Sequence, residues 1–386
     1  MQFPVDFGVS RQLSLNADRL RSPHAARDGT TNASPAGAKD EETMLREFAR
    51  RGVITAGLEA SHLLRCAGAM ASERGLGAIF TLHHVRPFVP ASTDVNAHLE
   101  ITPEFLDAAI RQLKAEGYRF VSLEEVPALL HSPEPGRPFA AFTLDDGYRN
   151  NRDHALPVFE RHGVPFTVFV CRGFSERSHT IWWETAAAIL CREQAVDLGG
   201  SEPIVRDVRT SADMRAAFRS IAGAICAEGE DAMIGKLDRA AAAIGIDPGA
   251  IVEDLVMSGE ELAAFARHPL VTLGAHTVSH RSLGFLDPAT VTDEVRRSAD
   301  YVEEITGRRP QTFAYPYGDG RSVTKESIRA VEDAGCRLAV TTSPGTLDRH
   351  SAEHLFRLPR ISLNGFYQKR RYVSALASGI PFRLKG

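Results

Sequence analysis

Seven short segments of this chain are apolar almost throughout: "GAIFTL" (77 to 82), "YRFVSL" (118 to 123), "PFAAFTL" (138 to 144), "PFTVFVC" (165 to 171), "PLVTLGA" (269 to 275), "QTFAYP" (311 to 316) and "CRLAVTT" (336 to 342). A strand with one face in water alternates apolar and polar residues. Runs this short and this uniform suit parallel strands covered on both sides. Helical segments lie between them. Thr102-Pro103-Glu104 opens one on which Phe105, Leu106, Ala109, Ile110 and Leu113 share a face, and Gly117 follows its end. Asp287-Pro288 opens another, carrying Val291, Val295, Val302 and Ile305, and Val323 to Ala334 forms a third before Gly335. Strand and helix units in alternation imply an α/β fold with a parallel sheet, open or closed into a barrel.

At 386 residues the chain has room for one large α/β domain of about 250 residues plus extensions, or for two smaller domains. Residues 1–40 are rich in Ser, Pro, Ala, Gly, Asn and Asp and read as a disordered tail. Residues 41–75 carry Met44, Leu45, Phe48, Leu58, Leu63 and Leu64 at helical spacing and read as a helical arm, interrupted near Gly52 and Gly57. The main domain is expected over 76–365, with a tail over 366–386. Between about 173 and 258 the strand rhythm stops and alanine-rich helical sequence takes over. This is a helical insertion holding the only two tryptophans, Trp182 and Trp183, which are expected to anchor it by packing rather than to stack on a sugar ring.

Charge and cysteine content exclude several classes. With 45 Lys and Arg against 49 Asp and Glu, the chain has no basic field for a polyanion, so nucleic-acid binding is not expected; Lys369, Arg370 and Arg371 read as a solvated face. Five scattered cysteines without a CxxC pair argue against a disulfide scaffold and against a cysteine zinc site. The N-terminus lacks a basic region followed by an unbroken apolar core, and the most apolar window, Val53 to Ala71, is broken by Glu59, His62 and Arg65. Neither a secretory signal nor a membrane span is therefore expected. Cytoplasm is the default location, with export by an unconventional route left open.

Ligands of parallel α/β folds gather at the C-terminal edge of the strands, where loops converge. "LDDG" puts Asp145 and Asp146 there directly after a strand. An Asp-Gly turn accounts for one aspartate on local grounds; two adjacent carboxylates repel, and a cation would relieve them. His276 and His280 in "GAHTVSH" end a second strand, and a helical turn of four residues would return the second imidazole to the side of the first. Chance produces roughly one HxxxH in every two chains of this histidine content. A second pair, His350 and His354 in "RHSAEH", lies in a polar stretch away from any strand end and is read as the accidental one. One carboxylate with two imidazoles leaves open positions on a zinc ion, the arrangement of a catalytic site, and the second carboxylate is then free to act as general base. His83 and His84 in "TLHHV" place a general-acid candidate at the same edge, and Pro316 and Gly318 in "FAYPYGDG" shape a turn able to aim a backbone N–H inward.

The order of these motifs resembles the polysaccharide deacetylase family, carbohydrate esterase family 4, also called the NodB homology domain, over about Gly77 to Leu363. "TLDDG" is similar to the family's T-F-D-D-G motif, which implies Asp145 as catalytic base and Asp146 as metal ligand. "HTVSH" matches H-[ST]-x-x-H, which implies His276 and His280 as metal ligands. "AYPYG" stands at R-x-P-x-G, where the backbone N–H of Tyr317 would help hold the oxyanion, but Ala314 stands where many members carry an arginine that orients the base. The usual late L-x-x-H motif is missing. The early "LHHV" is instead similar to the Y-H-x-V element of a subgroup that includes poly-N-acetylglucosamine deacetylases, which implies His83 as the acid, with His84 its alternative. The resemblance implies a distorted (β/α) barrel of about seven parallel strands, a Zn2+ or other divalent transition-metal cofactor, and an acetylated oligo- or polysaccharide as substrate. The rival functions are an O-acetyl esterase or non-sugar amidohydrolase on the same site, and a carbohydrate-binding relative without activity.

Overall fold

In a computed structural model, residues 35–88, 95–133, 136–193, 208, 210–227 and 229–384 are described. Ten strands occur among them: β1 (Gly77–Leu82), β2 (His84–Val85), β3 (Glu100–Ile101), β4 (Arg119–Phe120), β5 (Phe139–Leu144), β6 (Phe166–Val170), β7 (Val271–Ala275), β8 (Thr312–Ala314), β9 (Leu338–Val340) and β10 (Ile361–Ser362). Seven of them run in the order β10-β1-β5-β6-β7-β8-β9, all parallel, and β4 pairs with the start of β5. A parallel bridge from Val340 to Leu358 joins β9 to the segment entering β10, so the sheet curls back on itself as the expected barrel. β2 and β3 form a separate two-residue pair.

Every residue of β1, β5 and β6 is buried, which explains why these strands read as unbroken apolar runs. Ile79, Ala141, Phe169, Ala314, Val340 and Leu358 fill the barrel interior, while Phe80, Phe142, Leu144 and Val168 pack outward beneath the helices. The interior is narrow. A Cβ on Gly274 would come within 2.5 Å of the Phe169 ring and 2.7 Å of Thr312 Oγ1, so only glycine fits there.

Three sequence expectations need correction. "YRFVSL" contributes only Arg119–Phe120, off the main path, and the seventh strand of that path is Ile361–Ser362, too short to register as an apolar run. The arm helix (Pro35–Cys66) runs through Gly52 and Gly57 without a break. Each glycine costs about 1 kcal/mol of helix propensity, but Leu58 and Ile54 pack on Tyr372 and Ala375, and Glu59 accepts hydrogen bonds from Arg371 and Tyr372, so tertiary contact outweighs it. The C-terminal residues taken as a tail form the helices Arg370–Ala377 and Ile380–Arg383 against that arm. Residues 1–34 of the expected disordered tail lie outside the described residues. The insertion is helical over Trp182–Arg192, Ser211–Ala227, Glu230–Ala243 and Pro248–Leu255 and has its own apolar core. No helix among the described residues is long and apolar enough to cross a membrane.

Candidate active site

Strand register assembles the site. Leu82 of β1 is level with Leu144 of β5, so His83 and Asp145 leave the sheet side by side, and the Asp145 N–H donates to the Leu82 carbonyl at 3.0 Å. Val170 of β6 is level with Ala275 of β7, and the His276 N–H donates to the Val170 carbonyl at 3.1 Å. Residues 79, 81, 141 and 143 alternate with outward-facing neighbours, and the same alternation carries His83 and Asp145 over the barrel mouth.

Asp146 has φ 74° and Gly147 φ 69°, so the Asp-Gly turn is real, and its left-handed step turns Asp146 away from Asp145 toward β7. Asp146 Oδ1 lies 3.6 Å from His276 Nε2 and 3.4 Å from His280 Nε2. The expected helical turn between the two histidines is absent. Thr277 (φ 62°) and His280 (φ 58°) adopt left-handed conformations, and the Thr277 hydroxyl accepts the His280 N–H at 3.0 Å. Tyr317 (φ 59°) is also left-handed. Of six non-glycine residues with positive φ among those described, four therefore ring this cluster, the concentration of backbone strain typical of functional sites.

Glu294 pins the loop between the histidines. Its buried carboxylate accepts the N–H groups of Val278 (2.8 Å) and Ser279 (2.9 Å), the Ser279 hydroxyl (2.8 Å) and Arg281 Nη2 (3.1 Å). Glu294→Ala strands several donors at once and is expected to destabilise the fold by roughly 3 kcal/mol in urea unfolding. Glu294→Gln, which keeps packing and part of the hydrogen bonding, is expected to cost less than half of that; equal losses would mean that volume, not hydrogen bonding, holds the loop.

The residue that sequence reasoning missed is Arg360. It lies on the segment that closes the barrel, is fully buried, and grips Asp145 at both oxygens: Nη1 to Oδ1 at 2.7 Å and Nη2 to Oδ2 at 2.8 Å. Nε donates to the Thr341 carbonyl at 2.9 Å and Nη1 to Thr143 Oγ1 at 3.1 Å. Ala314 faces the same interior from β8, and the Arg360 guanidinium lies 5.9 Å from the centre of the Phe169 ring in that interior. Its one sequence signal is a lone arginine between Pro359 and Ile361. Burial by itself would raise the Asp145 carboxyl; the Arg360 charge and its hydrogen bonds hold it below the usual carboxylate range.

The two candidate acids separate cleanly. His83 Nε2 is 4.0 Å from Asp145 Oδ2, and burial pushes the imidazole down to about 4 against the pull of the Asp145 charge. His84 faces elsewhere: its ring lies on Tyr148 at 3.7 Å between centroids, Asn150 Nδ2 donates to its Nδ1 at 2.7 Å, and its Nε2 points to Glu184 at 3.5 Å. Asn151 Nδ2 donates to the His83 carbonyl at 2.7 Å, so "YRNN" (148 to 151), just after the aspartates and Gly147, holds the histidine pair in place.

Trp182 and Trp183 are buried and pack as expected of an anchor. Trp183 packs on His280 with 4.9 Å between rings and donates to the Tyr148 hydroxyl at 3.0 Å. Trp182 Nε1 donates to the Tyr317 hydroxyl at 3.1 Å, and that hydroxyl donates in turn to Glu230. The insertion thus forms one wall of the cluster.

The cluster fits a metal ion. Both Asp146 oxygens are buried without a hydrogen-bond partner beside the Nε2 atoms of His276 and His280, an arrangement expensive to maintain unless a cation lies between them. The His276 Nδ1–H donates to the Ala314 carbonyl at 2.7 Å, which leaves its Nε2 lone pair facing Asp146. One carboxylate and two imidazoles, with ligand atoms within 4.8 Å of one another, form the donor set of an open divalent site. Burial pushes the His280 imidazole well below its ordinary range, which keeps it neutral and able to ligate.

Comparison with known proteins agrees with the motif reading. The polysaccharide deacetylase family model matches residues 132–339, more than half of the chain. A Bacillus subtilis (strain 168) protein named "Putative polysaccharide deacetylase YxkH" is 19% identical over 265 residues, which cover 68% of this chain and 66% of that protein, a little under two thirds of its length. Among solved structures, the Streptococcus pyogenes deacetylase PplD in complex with acetate is 19% identical with a TM-score of 0.49, over 75% of this chain and 92% of that one. IcaB from Ammonifex degensii is 17% identical with a TM-score of 0.47, over 78% of this chain and 97% of that one.

Proposed function

Because this chain belongs to the polysaccharide deacetylase family, we propose that it is a metal-dependent hydrolase that removes N-acetyl groups from an oligo- or polysaccharide of the N-acetylglucosamine type. The observation that carries this reading is the buried, bidentate Arg360–Asp145 pair set beside Asp146, His276 and His280. A carbohydrate-binding relative without activity would have no use for a second carboxylate held ionised and aimed.

Asp146, His276 and His280 would hold the ion, zinc or another divalent transition metal. When bound there, it supplies Lewis-acid polarisation of the acetyl carbonyl and makes water more acidic. Asp145, kept ionised by Arg360, takes the proton of the attacking water. The backbone N–H of Tyr317, on its left-handed turn, donates toward the carbonyl oxygen as negative charge develops. His83, across from Asp145, delivers a proton to the departing amine. As a buried neutral imidazole, it must first gain that proton, and Asp145 at 4.0 Å is the nearest source.

The test couples metal analysis of the purified protein to acetate release from N-acetylglucosamine oligomers. Asp145→Asn is expected to retain metal and to lose about 10²- to 10⁴-fold in rate, the usual worth of a positioned acid or base. Unchanged acetate release with intact metal content would remove Asp145 from the base role. Release from O-acetylated but not N-acetylated sugars would reassign the substrate and leave the site residues in place.

A further inference from the structure

The second HxxxH spacing, set aside as chance in the sequence, is brought together by the fold. His350 and His354 lie on a single turn of 3-10 helix (His350–Glu353) and the residue after it, and their Nε2 atoms are 3.2 Å apart. The rings meet edge to face with centroids at 4.7 Å. His350 Nδ1 lies 3.2 Å from Glu353 Oε2. We propose that His350 and His354 form a second divalent transition-metal site, with Glu353 orienting the first imidazole.

The chemistry follows from which nitrogen is free. The Glu353 carboxylate, 3.2 Å from His350 Nδ1, favours the tautomer with its proton on that nitrogen, which leaves the His350 Nε2 lone pair directed at His354 Nε2. Two lone pairs facing each other at this distance need a proton or a cation between them. Between exposed groups a shared proton contributes little, because water competes for both nitrogens. A metal ion bound at about 2.0–2.1 Å from each imidazole would set two nitrogens of a tetrahedron about 3.3 Å apart, close to the spacing observed. A carboxylate beside the outer nitrogen of a ligating imidazole raises that ligand's basicity, and Glu353 stands in that position.

The neighbourhood does not oppose a cation. Arg349, next in sequence, turns away and donates from Nη1 and Nη2 to the carbonyls of Ser132 and Pro133, both at 2.9 Å. Asp348 is occupied in capping Ser351. His350 and Glu353 have side chains 68% and 70% exposed, so an ion reaches them directly and water completes its shell. Imidazole donors select zinc, copper or nickel over magnesium and calcium.

The position gives such an ion something to brace. His354 lines a cavity of about 200 Å³ together with Gly318, Thr341, Ser343 and Arg357. The chain from 344 to 357 is an excursion whose two ends are tied by the Arg360 N–H to the Ser343 carbonyl, 2.9 Å, and the Thr341 N–H to the Leu358 carbonyl, 2.9 Å. Arg360, which grips Asp145, stands at its foot. An ion shared by His350 and His354 tightens that excursion without touching the reacting groups.

The experiment is calorimetric titration of the full chain with Zn2+ alone in a non-coordinating buffer, on Asp146→Ala/His276→Ala protein in which the first cluster has lost two ligands. One Zn2+ per chain is expected; adding His350→Ala and His354→Ala should weaken it at least tenfold, and Glu353→Gln alone by roughly tenfold. Mg2+ should give no binding. Should the doubly substituted background fail to fold, wild-type protein carrying His350→Ala/His354→Ala is expected to drop from two Zn2+ to one. Either of two results overturns the proposal: no saturable Zn2+ uptake by the Asp146→Ala/His276→Ala protein, or uptake that survives loss of both histidines. The proposal is independent of which acetylated substrate the enzyme takes.

Discussion

Replacing Arg360 with alanine is expected to lower acetate release by about 10²-fold or more at neutral pH while the protein still retains metal. Two effects add. The guanidinium makes two hydrogen bonds to Asp145, so its loss frees the carboxylate to rotate away from the position the proposed base role requires. It is also the charge that holds Asp145 ionised against burial. Without it, the folded pKa of Asp145 rises, a higher pH is needed to ionise the base, and the acid limb of the pH-rate profile moves upward. An unshifted acid limb would show that Arg360 does not tune Asp145. Stability should change in the same variant: breaking a buried pair from one side typically costs about 3–5 kcal/mol. The sign with pH follows. In the wild type, Asp145 is depressed on folding, so its contribution is present above the ordinary aspartate range and is lost as pH falls through the lowered folded value. In Arg360→Ala that contribution disappears at neutral pH, and the gap in stability between the two proteins narrows on acidification. Arg360→Lys keeps the charge but not the fork, so it should restore much of the pH profile and little of the rate.

The second large effect concerns Asp146. Stripping metal with a chelator is expected to lower the melting temperature of the wild type, and adding Zn2+ to restore it, because an ion bound only to the folded chain contributes about 2.7 kcal/mol at a hundred times its dissociation constant. Asp146→Asn should lose most of that rise and all measurable acetate release. The physical ground is the pair of Asp146 oxygens, buried without hydrogen bonds between two imidazoles. An asparagine presents one neutral oxygen to the ion in place of a carboxylate and weakens its hold accordingly. Equal Zn2+-induced stabilisation in both proteins would place the ion elsewhere; the His350/His354 variant distinguishes a second site from a misassigned first one.

The candidate site was largely legible because its residues sit in motifs tied to strand ends. Asp145 and Asp146 follow a recognisable strand, and so do His83 and His276, so the rule that ligands gather at the C-terminal edge applies to each without knowledge of the others. Arg360 was not legible in the same way. It approaches Asp145 from the residue just before a two-residue strand that no apolar pattern marks, across 215 positions of sequence. Nor was the choice between His83 and His84. Neighbours in sequence, they point in opposite directions because alternate residues leave a strand on opposite sides, and only the inward one meets Asp145.

By itself the amino-acid sequence determined the fold class, the strand edge at which the candidate site lies, the Asp and His pairs, and the helical character of the insertion. These are local or periodic properties, written in burial pattern and turn chemistry within a few residues. The tertiary structure decided how the barrel closes, which cation pairs with Asp145, how two left-handed residues rather than a helical turn bring His280 back to Asp146, and that the pair read as accidental comes within 3.2 Å. Each depends on contacts between segments far apart in the chain or on single backbone dihedrals, and neither leaves a period in the sequence from which to read it.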